Sequence, residues 1–316
     1  MKPAALVVLL VGGVAAAQAP PPGNGREPEA FRISVEVDLV VLQATVRDHQ
    51  GHTVMELGQK DFEIMEDGRP QPIRLFRHED TPVTVGLIID HSGSMSHKLA
   101  DVTAGAQAFV HSSNPHDQMF VVNFNEVASL GLPIGMGFSD SAETLGTAIW
   151  GAPAIGATAL YDAIAEGLKR LQQGGSDKKV LIVISDGGDN SSKATLDRVL
   201  KMTEQSSAMI YTIGVFEADD PDRNPKVLQR LAHESGGEAF FPTELSETVQ
   251  ICERIARDIR DQYTIGYSSM NAKGDGTYHK IRLTARAKAD GKLTVRTRAG
   301  YSSGTAPVPA TEPAAK

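Results

Sequence analysis

Five oxygen-bearing side chains stand out, because three of them occupy every second position and two follow at wider intervals. The five are Asp90, Ser92, Ser94, Thr158 and Asp186. Together they offer two carboxylates and three hydroxyls, with no nitrogen or sulfur. Hard divalent cations bind such donors; Mg²⁺ takes about six oxygens and keeps several waters, whereas Ca²⁺ usually takes more carboxylates. The set predicts a Mg²⁺ site, with Mn²⁺ or Ca²⁺ as the other candidates.

The segments that carry these side chains predict that they meet. One apolar run at 83–89 ends at Asp90, and a second at 180–185 ends at Asp186. Continuous apolar runs are typical of strands that are covered on both faces in a parallel sheet. Thr158 opens a predicted helix. Because ligand sites in open α/β sheets lie at the carboxyl ends of strands, we expect these residues at one edge of a sheet.

Strands and helices alternate between 81 and 261, as judged from apolar periodicity. Strands are predicted at 83–89, 119–124, 127–132, 180–185, 209–215 and 238–241, and helices at 99–110, 158–172, 194–204, 226–234 and 245–260. This alternation predicts an α/β fold, with a doubly wound, mostly parallel sheet.

Before and after this domain, apolar residues alternate with a period of two, which indicates half-buried strands. The later strands are too few to be stable alone, so we expect them to pair with the earlier ones in one small β module. The predicted divisions are a signal peptide at 1–17, a linker at 18–30, β strands at 31–80, the α/β domain at 81–261, β strands at 262–303 and a disordered tail at 304–316.

The first residues have the pattern of a secretory leader. Lys2 precedes an apolar stretch at 4–14, and small residues at 15–17 precede Gln18. The apolar stretch is shorter than the ~20 residues that span a bilayer. We therefore expect an exported protein, periplasmic or secreted, without a membrane span. The single cysteine, Cys252, excludes an internal disulfide framework and suits a buried position.

Charge narrows the classes of partner. The chain of 316 residues has 31 Lys+Arg against 39 Asp+Glu, a formal net charge of -8. Since no dense basic run is present, neither nucleic acid nor an anionic membrane is expected as the main partner. The sequence does not indicate an oligomeric state.

The order of the five side chains, Asp-x-Ser-x-Ser followed by a Thr and an Asp on two later loops, resembles the von Willebrand factor type A domain with its metal-ion-dependent adhesion site. The resemblance covers about 81–261. It implies that Ser92, Ser94 and Thr158 touch the metal directly or through water, and that the two aspartates often act through water. It also implies a non-enzymatic adhesion module, in which an acidic residue of a protein ligand fills an open coordination position.

The flanking segments carry a second resemblance. The segments 35–47, 61–64 and 66–68, together with Gly300 and Tyr301, resemble the von Willebrand type A-related family described chiefly from Acidobacteria. This resemblance extends over most of the mature chain and implies no particular ligand.

Other functions compete with adhesion. Asp90, His91 and Ser92 have the residue types of a hydrolytic triad, but adjacent residues cannot form its chain of contacts, and no Gly-x-Ser-x-Gly motif is present. Asp90 and Asp186 could support Mg²⁺-dependent hydrolysis, although no Walker loop accompanies them. A structural scaffold with a vestigial metal site is the third alternative.

Neighbouring polar residues are candidates for the rim of the site or for support of its ligands. His91 either contacts a partner or is a solvated loop residue. Asp189 and Asn190 either support the site or form an ordinary turn. Asp162, in the first turn of a predicted helix, is expected to cap that helix rather than to bind metal.

The last predicted helix of the α/β domain leads directly into the next strand. In the resembling family, some members couple metal coordination to movement of this helix. The helix at 245–260 either moves in this way or is held in the core by an apolar stripe that includes Cys252. The sequence leaves both alternatives open.

Overall fold

Strands and helices alternate between residues 83 and 260, and further strands lie on both sides of this region. The computed structural model describes residues 39–151, 153–216, 223–269, 276–287 and 293–303. The strands are β1 (Leu39–Arg47), β2 (Phe62–Glu66), β3 (Arg69–Gln71), β4 (Ile73–Arg77), β5 (Val83–Asp90), β6 (Gln118–Phe124), β7 (Ala128–Leu130), β8 (Lys178–Ser185), β9 (Met209–Gly214), β10 (Ala239–Phe240), β11 (Tyr263–Ser268), β12 (Tyr278–Ala285), β13 (Thr294–Arg296) and β14 (Gly300–Ser302). The helices are α1 (Leu99–Ser112), α2 (Ala142–Ile149), α3 (Leu160–Leu171), α4 (Leu196–Gln205), α5 (Pro225–Ser235) and α6 (Glu247–Arg260). The predicted signal peptide, linker and tail, and the beginning of the first predicted strand, lie outside the described residues.

The central sheet has the order β10-β9-β8-β5-β6-β7, in which the first five strands are parallel and β7 is antiparallel. Every residue of β5 is buried, which explains why its sequence is almost entirely apolar. Helices α2 and α6 pack on α1, while α3 and α5 pack on α4. The predicted fold class, a doubly wound α/β domain with a mostly parallel sheet, is confirmed.

The flanking strands form two antiparallel sheets, with the orders β13-β1-β11-β4 and β14-β12-β2-β3. β1 pairs with β11, so that Val41 lies opposite Gly266, and β2 pairs with β12. Their inward side chains form a second core, in which Leu42, Ile64 and Tyr263 are buried. Strands from both flanks therefore form one β module, as predicted for the fold class. The residue limits of the domains stay a prediction.

Charged side chains join the β module to the α/β domain at the amino ends of the central strands. Arg47 in β1 donates to Asp258 in α6 at 2.5 Å and to Glu238, directly before β10, at 3.1 Å. Arg254 donates to Glu238 at 3.2 Å, and Arg296 in β13 donates to the same carboxylate. Burial alone would raise the pKa of Glu238, but the three arginines bring it below its usual value. The charge of Glu238 is therefore neutralised within the protein.

Two features of the α/β domain differ from the sequence prediction. No helix was expected between β7 and α3, yet α2 lies there; it has only eight residues, and its start is marked by Ser141, whose Oγ accepts a hydrogen bond from the N–H of Thr144. Helix α3 begins at Leu160, so Thr158 lies in the loop before the helix rather than opening it. β3 contains Pro70, which is tolerated because β3 is an edge strand.

Helix α6 packs closely against α1. A Cβ added at Gly105 of α1 would lie 2.6 Å from Cγ2 of Thr248, so only glycine allows this approach. Cys252 is buried in the same contact, as predicted, and burial raises the pKa of its thiol to about 12. In the part of the chain that the structure describes, no helix is long and apolar enough to cross a bilayer.

Candidate metal centre

Asp90 ends β5 and is held rigidly at the carboxyl edge of the sheet. Its side chain is fully buried. One carboxylate oxygen accepts the N–H of Ser92 at 2.8 Å, and the other accepts the hydroxyl of Ser185, at the end of β8, at 2.6 Å. Adjacent parallel strands therefore fix this carboxylate from two sides.

Three other predicted ligands form a continuous chain of contacts. Ser94 donates its hydroxyl to Oδ2 of Asp186 at 2.5 Å, and the hydroxyl oxygens of Ser92 and Ser94 lie 3.1 Å apart. Oδ1 of Asp186 accepts the N–H of Gly188 at 3.0 Å. Ser94 is exposed whereas Asp186 is buried, so the chain of contacts runs from the surface inwards. The structure thus brings together the loop after β5, here called the first loop, and the loop after β8, here called the third loop. Their positions at strand ends predicted this convergence.

Thr158 is buried in the loop that precedes α3, here called the second loop, which lies between the other two. Its backbone forms a two-point contact with Asn190: the N–H of Thr158 donates to Oδ1 of Asn190 at 2.8 Å, and the N–H of Asn190 donates to the carbonyl of Thr158 at 3.0 Å. On the other side, the N–H of Gly93 donates to the carbonyl of Gly156 at 3.0 Å. The second loop is therefore fixed between the first and third loops.

Asp189 and its neighbours cap helix α3 from the third loop. Oδ1 of Asp189 accepts the N–H of Tyr161 at 3.2 Å and the hydroxyl of Ser192 at 2.5 Å. Ser192 in turn accepts the N–H of Asp162 at 3.1 Å. The carboxylate of Asp162 accepts the N–H groups of Lys193 and Ala194, at 2.9 and 2.8 Å. Asp162 lies in the first turn of α3, as expected, but its carboxylate accepts these hydrogen bonds from the third loop and none from its own helix among the bonds described.

The predictions for His91 are wrong, because the residue is fully buried. The backbone N–H of His91 donates to the carbonyl of Phe124 at 2.7 Å, and the backbone carbonyl of His91 accepts the N–H of Ile155 at 2.9 Å. These bonds connect the residue to the end of β6 and to the second loop, and they turn it inwards. Neither expectation for this side chain, a partner contact or a solvated loop position, fits this burial.

The electrostatics of the site fit a divalent cation. Burial raises the pKa of Asp90 to about 6, and the negative charge of Asp186 adds to this rise, although hydrogen bonds from Ser185 and Ser92 oppose it. A cation beside the two carboxylates would offset both the burial and the repulsion. The donor set consists of carboxylate and hydroxyl oxygens, which are the ligands that Mg²⁺ prefers.

A second group of acidic and imidazole side chains lies in the β module, and the sequence analysis did not assign it. The ligand-type atoms of Glu66, Asp67 and His279 lie within 4.8 Å of one another. Glu66 is fully buried, and its two oxygens accept the hydroxyls of Tyr267 and Ser269, each at 2.6 Å. The alternation in β2, where every second residue faces the core, could have shown that Glu66 points inwards and needs such partners.

Asp67 and His279 also have partners within the protein. Nδ1 of His279 lies 2.8 Å from Oδ2 of Asp67, and Oδ1 of Asp67 accepts the N–H of Lys280 at 2.9 Å. The hydrogen bond from His279 is the main cause that lowers the pKa of Asp67. These contacts connect β2 to β12, so the group serves the stability of the β module.

The sequence matches the family model of the von Willebrand factor type A domain over residues 85–254. No curated protein matches the chain. Among solved structures, a von Willebrand factor type A protein from Catenulispora acidiphila is 17% identical with a TM-score of 0.51, and the match covers 74% of this chain and 71% of that one. This likeness concerns the fold alone.

The vWF domain of a type V pili tip protein from Porphyromonas gingivalis is 14% identical with a TM-score of 0.48, and the match covers 57% of this chain and 95% of that one. That likeness is too distant to carry an argument. The family model, in contrast, matches more than half of the 316 residues and includes Asp90, Thr158 and Asp186. The chain therefore belongs to the von Willebrand factor type A domain family.

Proposed function

We propose that this protein is an exported, non-enzymatic binding module whose attachment to a protein partner depends on a divalent cation. The observation that carries the proposal is the contact between Ser94 and Asp186 at 2.5 Å, which joins ligand-type oxygens of loops 92 residues apart. Asp90, Ser92 and Thr158 complete the proposed ligand set. Mg²⁺ is the proposed ion, with Mn²⁺ or Ca²⁺ as alternatives.

The residues of the site have separate tasks in this proposal. Asp90 supplies a buried negative charge that Ser185 and the backbone of Ser92 hold in place. Ser94 is exposed and offers a neutral hydroxyl on the partner's side of the site. A bound cation supplies positive charge and an open coordination position for an acidic side chain of the partner. Because hydroxyl ligands do not neutralise the cation, attraction for that incoming carboxylate is kept.

Export is part of the proposal and is supported by the leader pattern at the start of the sequence. The net charge of -8 without a basic run supports a protein partner rather than nucleic acid. An acidic protein also needs the cation to attract an acidic partner, since the two would otherwise repel each other.

Titration calorimetry with Mg²⁺ tests the metal site. Asp186→Ala should lose at least tenfold in Mg²⁺ affinity, while its circular dichroism spectrum stays that of the wild type, because the residue lies on a loop at the sheet edge. Asp177→Ala is the matched control, since Asp177 is exposed at the opposite end of the same strand, β8. Equal Mg²⁺ affinity of the two variants would show that the site is misplaced.

Capture of an acidic peptide with Mg²⁺, and its loss with EDTA, tests the binding function separately. Turnover of a phosphoester by the wild type that disappears in Asp90→Ala would instead favour a hydrolase. Capture that is indifferent to EDTA would favour a scaffold with a vestigial site.

A further inference from the structure

Two large apolar side chains are exposed on the loops beside the candidate metal centre. Val127 exposes 69% of its surface and Ile155 exposes 59%. Leu87, Ile88 and Ile89, which lead to the same edge within β5, expose 1% or less. Large apolar side chains exposed at the rim of a polar site are typical of a surface that binds another protein.

Ile155 lies directly beside the first loop of the site. Its N–H donates to the carbonyl of His91 at 2.9 Å, and the next residue, Gly156, accepts the N–H of Gly93 at 3.0 Å. Gly93 is the residue between Ser92 and Ser94 in the proposed ligand set. The exposed side chain of Ile155 therefore stands on the flank of the metal centre that the second loop forms.

Val127 lies on the turn that packs against the same loop. The N–H of Ala159 donates to the carbonyl of Asn125 at 2.7 Å. Glu126 contacts Gly156 so closely that an added Cβ there would lie 2.9 Å from its Oε1. Glu126 and Gly156 are therefore in contact. Val127 follows Glu126 and Ile155 precedes Gly156, so the two apolar residues lie on either side of this contact.

We propose that Val127 and Ile155 form a docking surface for a partner protein segment in which a large apolar residue lies next to the acidic residue bound at the metal centre. The proposal rests on the proposed function, since coordination of the partner's acidic residue by the cation determines the position of the adjacent apolar residue. Burial of that neighbour adds affinity that a lone carboxylate lacks.

Glu126 makes this choice of partner more specific. It is exposed between Val127 and the Gly156 backbone, on the flank where the neighbour of the bound acid would lie. A second carboxylate placed there would be repelled, whereas an apolar side chain packs on Val127 and Ile155 without meeting a like charge. The site therefore selects an apolar–acidic pair over a run of acidic residues.

A random peptide library displayed on phage, selected on the full chain with Mg²⁺ and eluted with EDTA, tests the proposal. The expected result is enrichment of peptides with a glutamate or aspartate next to leucine, isoleucine, phenylalanine or methionine. A synthetic peptide from that set and a copy with serine in place of the apolar residue then serve as defined probes. The serine copy should bind about tenfold more weakly.

Variants of the surface separate this proposal from the function on which it rests. Ile155→Ser and Val127→Ser should each weaken the apolar–acidic peptide by about tenfold and leave the serine copy and the Mg²⁺ affinity unchanged. Ile134→Ser is the matched control, because Ile134 is fully exposed on the segment after β7 and should affect neither peptide.

Other outcomes overturn one claim or the other. Enrichment of acidic residues with no apolar neighbour, or unchanged binding by both serine variants, overturns the docking surface and keeps the metal-dependent function. Peptides that are retained in EDTA, or no enrichment of acidic residues, overturn the proposed function itself. Self-association of the chain in sedimentation experiments that Ile155→Ser abolishes assigns the surface to a second copy and overturns the partner proposed.

Discussion

The two edges of the central sheet carry acidic residues in opposite surroundings. At the carboxyl edge, Asp90 and Asp186 accept hydrogen bonds from hydroxyl and backbone N–H groups, which are neutral donors. At the amino edge, Glu238 contacts three arginines, and Arg47 also contacts Asp258. Charge is therefore neutralised by arginines where the domain meets the β module, whereas at the carboxyl edge the proposed function assigns this task to a bound cation. Acidic residues thus serve stability at one edge and, in the function proposed above, cation binding at the other.

The largest effect is expected at the amino edge. Arg47→Ala removes the arginine that lies closest to Asp258, at 2.5 Å, and that also contacts Glu238; Arg296 and Arg254 stay farther from Asp258, at 3.8 and 4.0 Å. The side chain of Asp258 is only 6% exposed. Leaving a buried acid short of its partner should lower the free energy of unfolding by about 3 kcal/mol, with Mg²⁺ affinity unchanged. Urea denaturation measures the first quantity and calorimetry the second.

Arg286→Ala is the control for that experiment, because the ion pair of Arg286 with Glu63 is exposed on both sides and should contribute little to stability. A loss of Mg²⁺ affinity in Arg47→Ala would contradict the separation of the two edges.

The next effect is expected at the carboxyl edge. Asn190→Ala removes the acceptor of the N–H of Thr158, so the second loop loses its fixed position. We expect a Mg²⁺ affinity about tenfold weaker, since residues that orient metal ligands commonly contribute this much. Asn190→Asp keeps an acceptor oxygen in the same place and should bind Mg²⁺ better than Asn190→Ala. Equal affinities of these two variants would count against a positioning role.

The smallest effect concerns an acid of the amino edge that contacts no arginine among the bonds described. Asp117, directly before β6, accepts the N–H groups of Val83 and Asn114 at 2.8 and 3.2 Å. Burial raises its pKa from 3.8 to about 6. The folded protein therefore binds this proton more tightly than the unfolded chain does, and the contribution of Asp117 to stability falls as pH rises through that interval.

Asp117→Asn isolates this titration, because it keeps an acceptor oxygen and removes the charge. Relative to this variant, the wild type should lose about 1 kcal/mol of unfolding free energy between about pH 4 and 6, which is about half of what the full pKa shift would give, because solvent screens part of the effect of burial. Urea denaturation across this range gives the difference, and other groups that titrate there cancel. A difference that does not change with pH would show that Asp117 has an ordinary pKa in the folded state.

The sequence predicted the convergence of Asp90 and Asp186 because a simple rule applies to both. Each follows an apolar run, and the carboxyl ends of parallel strands meet at one edge. The β module was predictable for a similar reason, since its period of two continues on both sides of the α/β domain. Helix α2 was not, because eight residues give too few apolar repeats to establish a period.

The roles of individual polar side chains were harder to predict. The contact of Asn190 with Thr158 spans 32 residues and depends on how two loops pack, which no local pattern encodes. His91 follows a buried strand and remains buried because its backbone bonds to Phe124 and Ile155 on either side. In both cases, tertiary contacts between loops decide the outcome.

The position of the α/β domain within the chain also has a mechanical consequence. β4 and β11, which precede and follow the domain, are hydrogen-bonded neighbours, with Arg77 opposite Thr264. The α/β domain is thus inserted between two paired strands of the β module, so the chain leaves the module and returns to it at adjacent positions. Tension applied to the chain at Leu39 and Ser302 would load the pairings of the two strands that hold these residues, β1 with β11 and β14 with β12. The loops of the candidate metal centre lie outside those pairings, so a protein held at both ends could bear load without straining the proposed binding site.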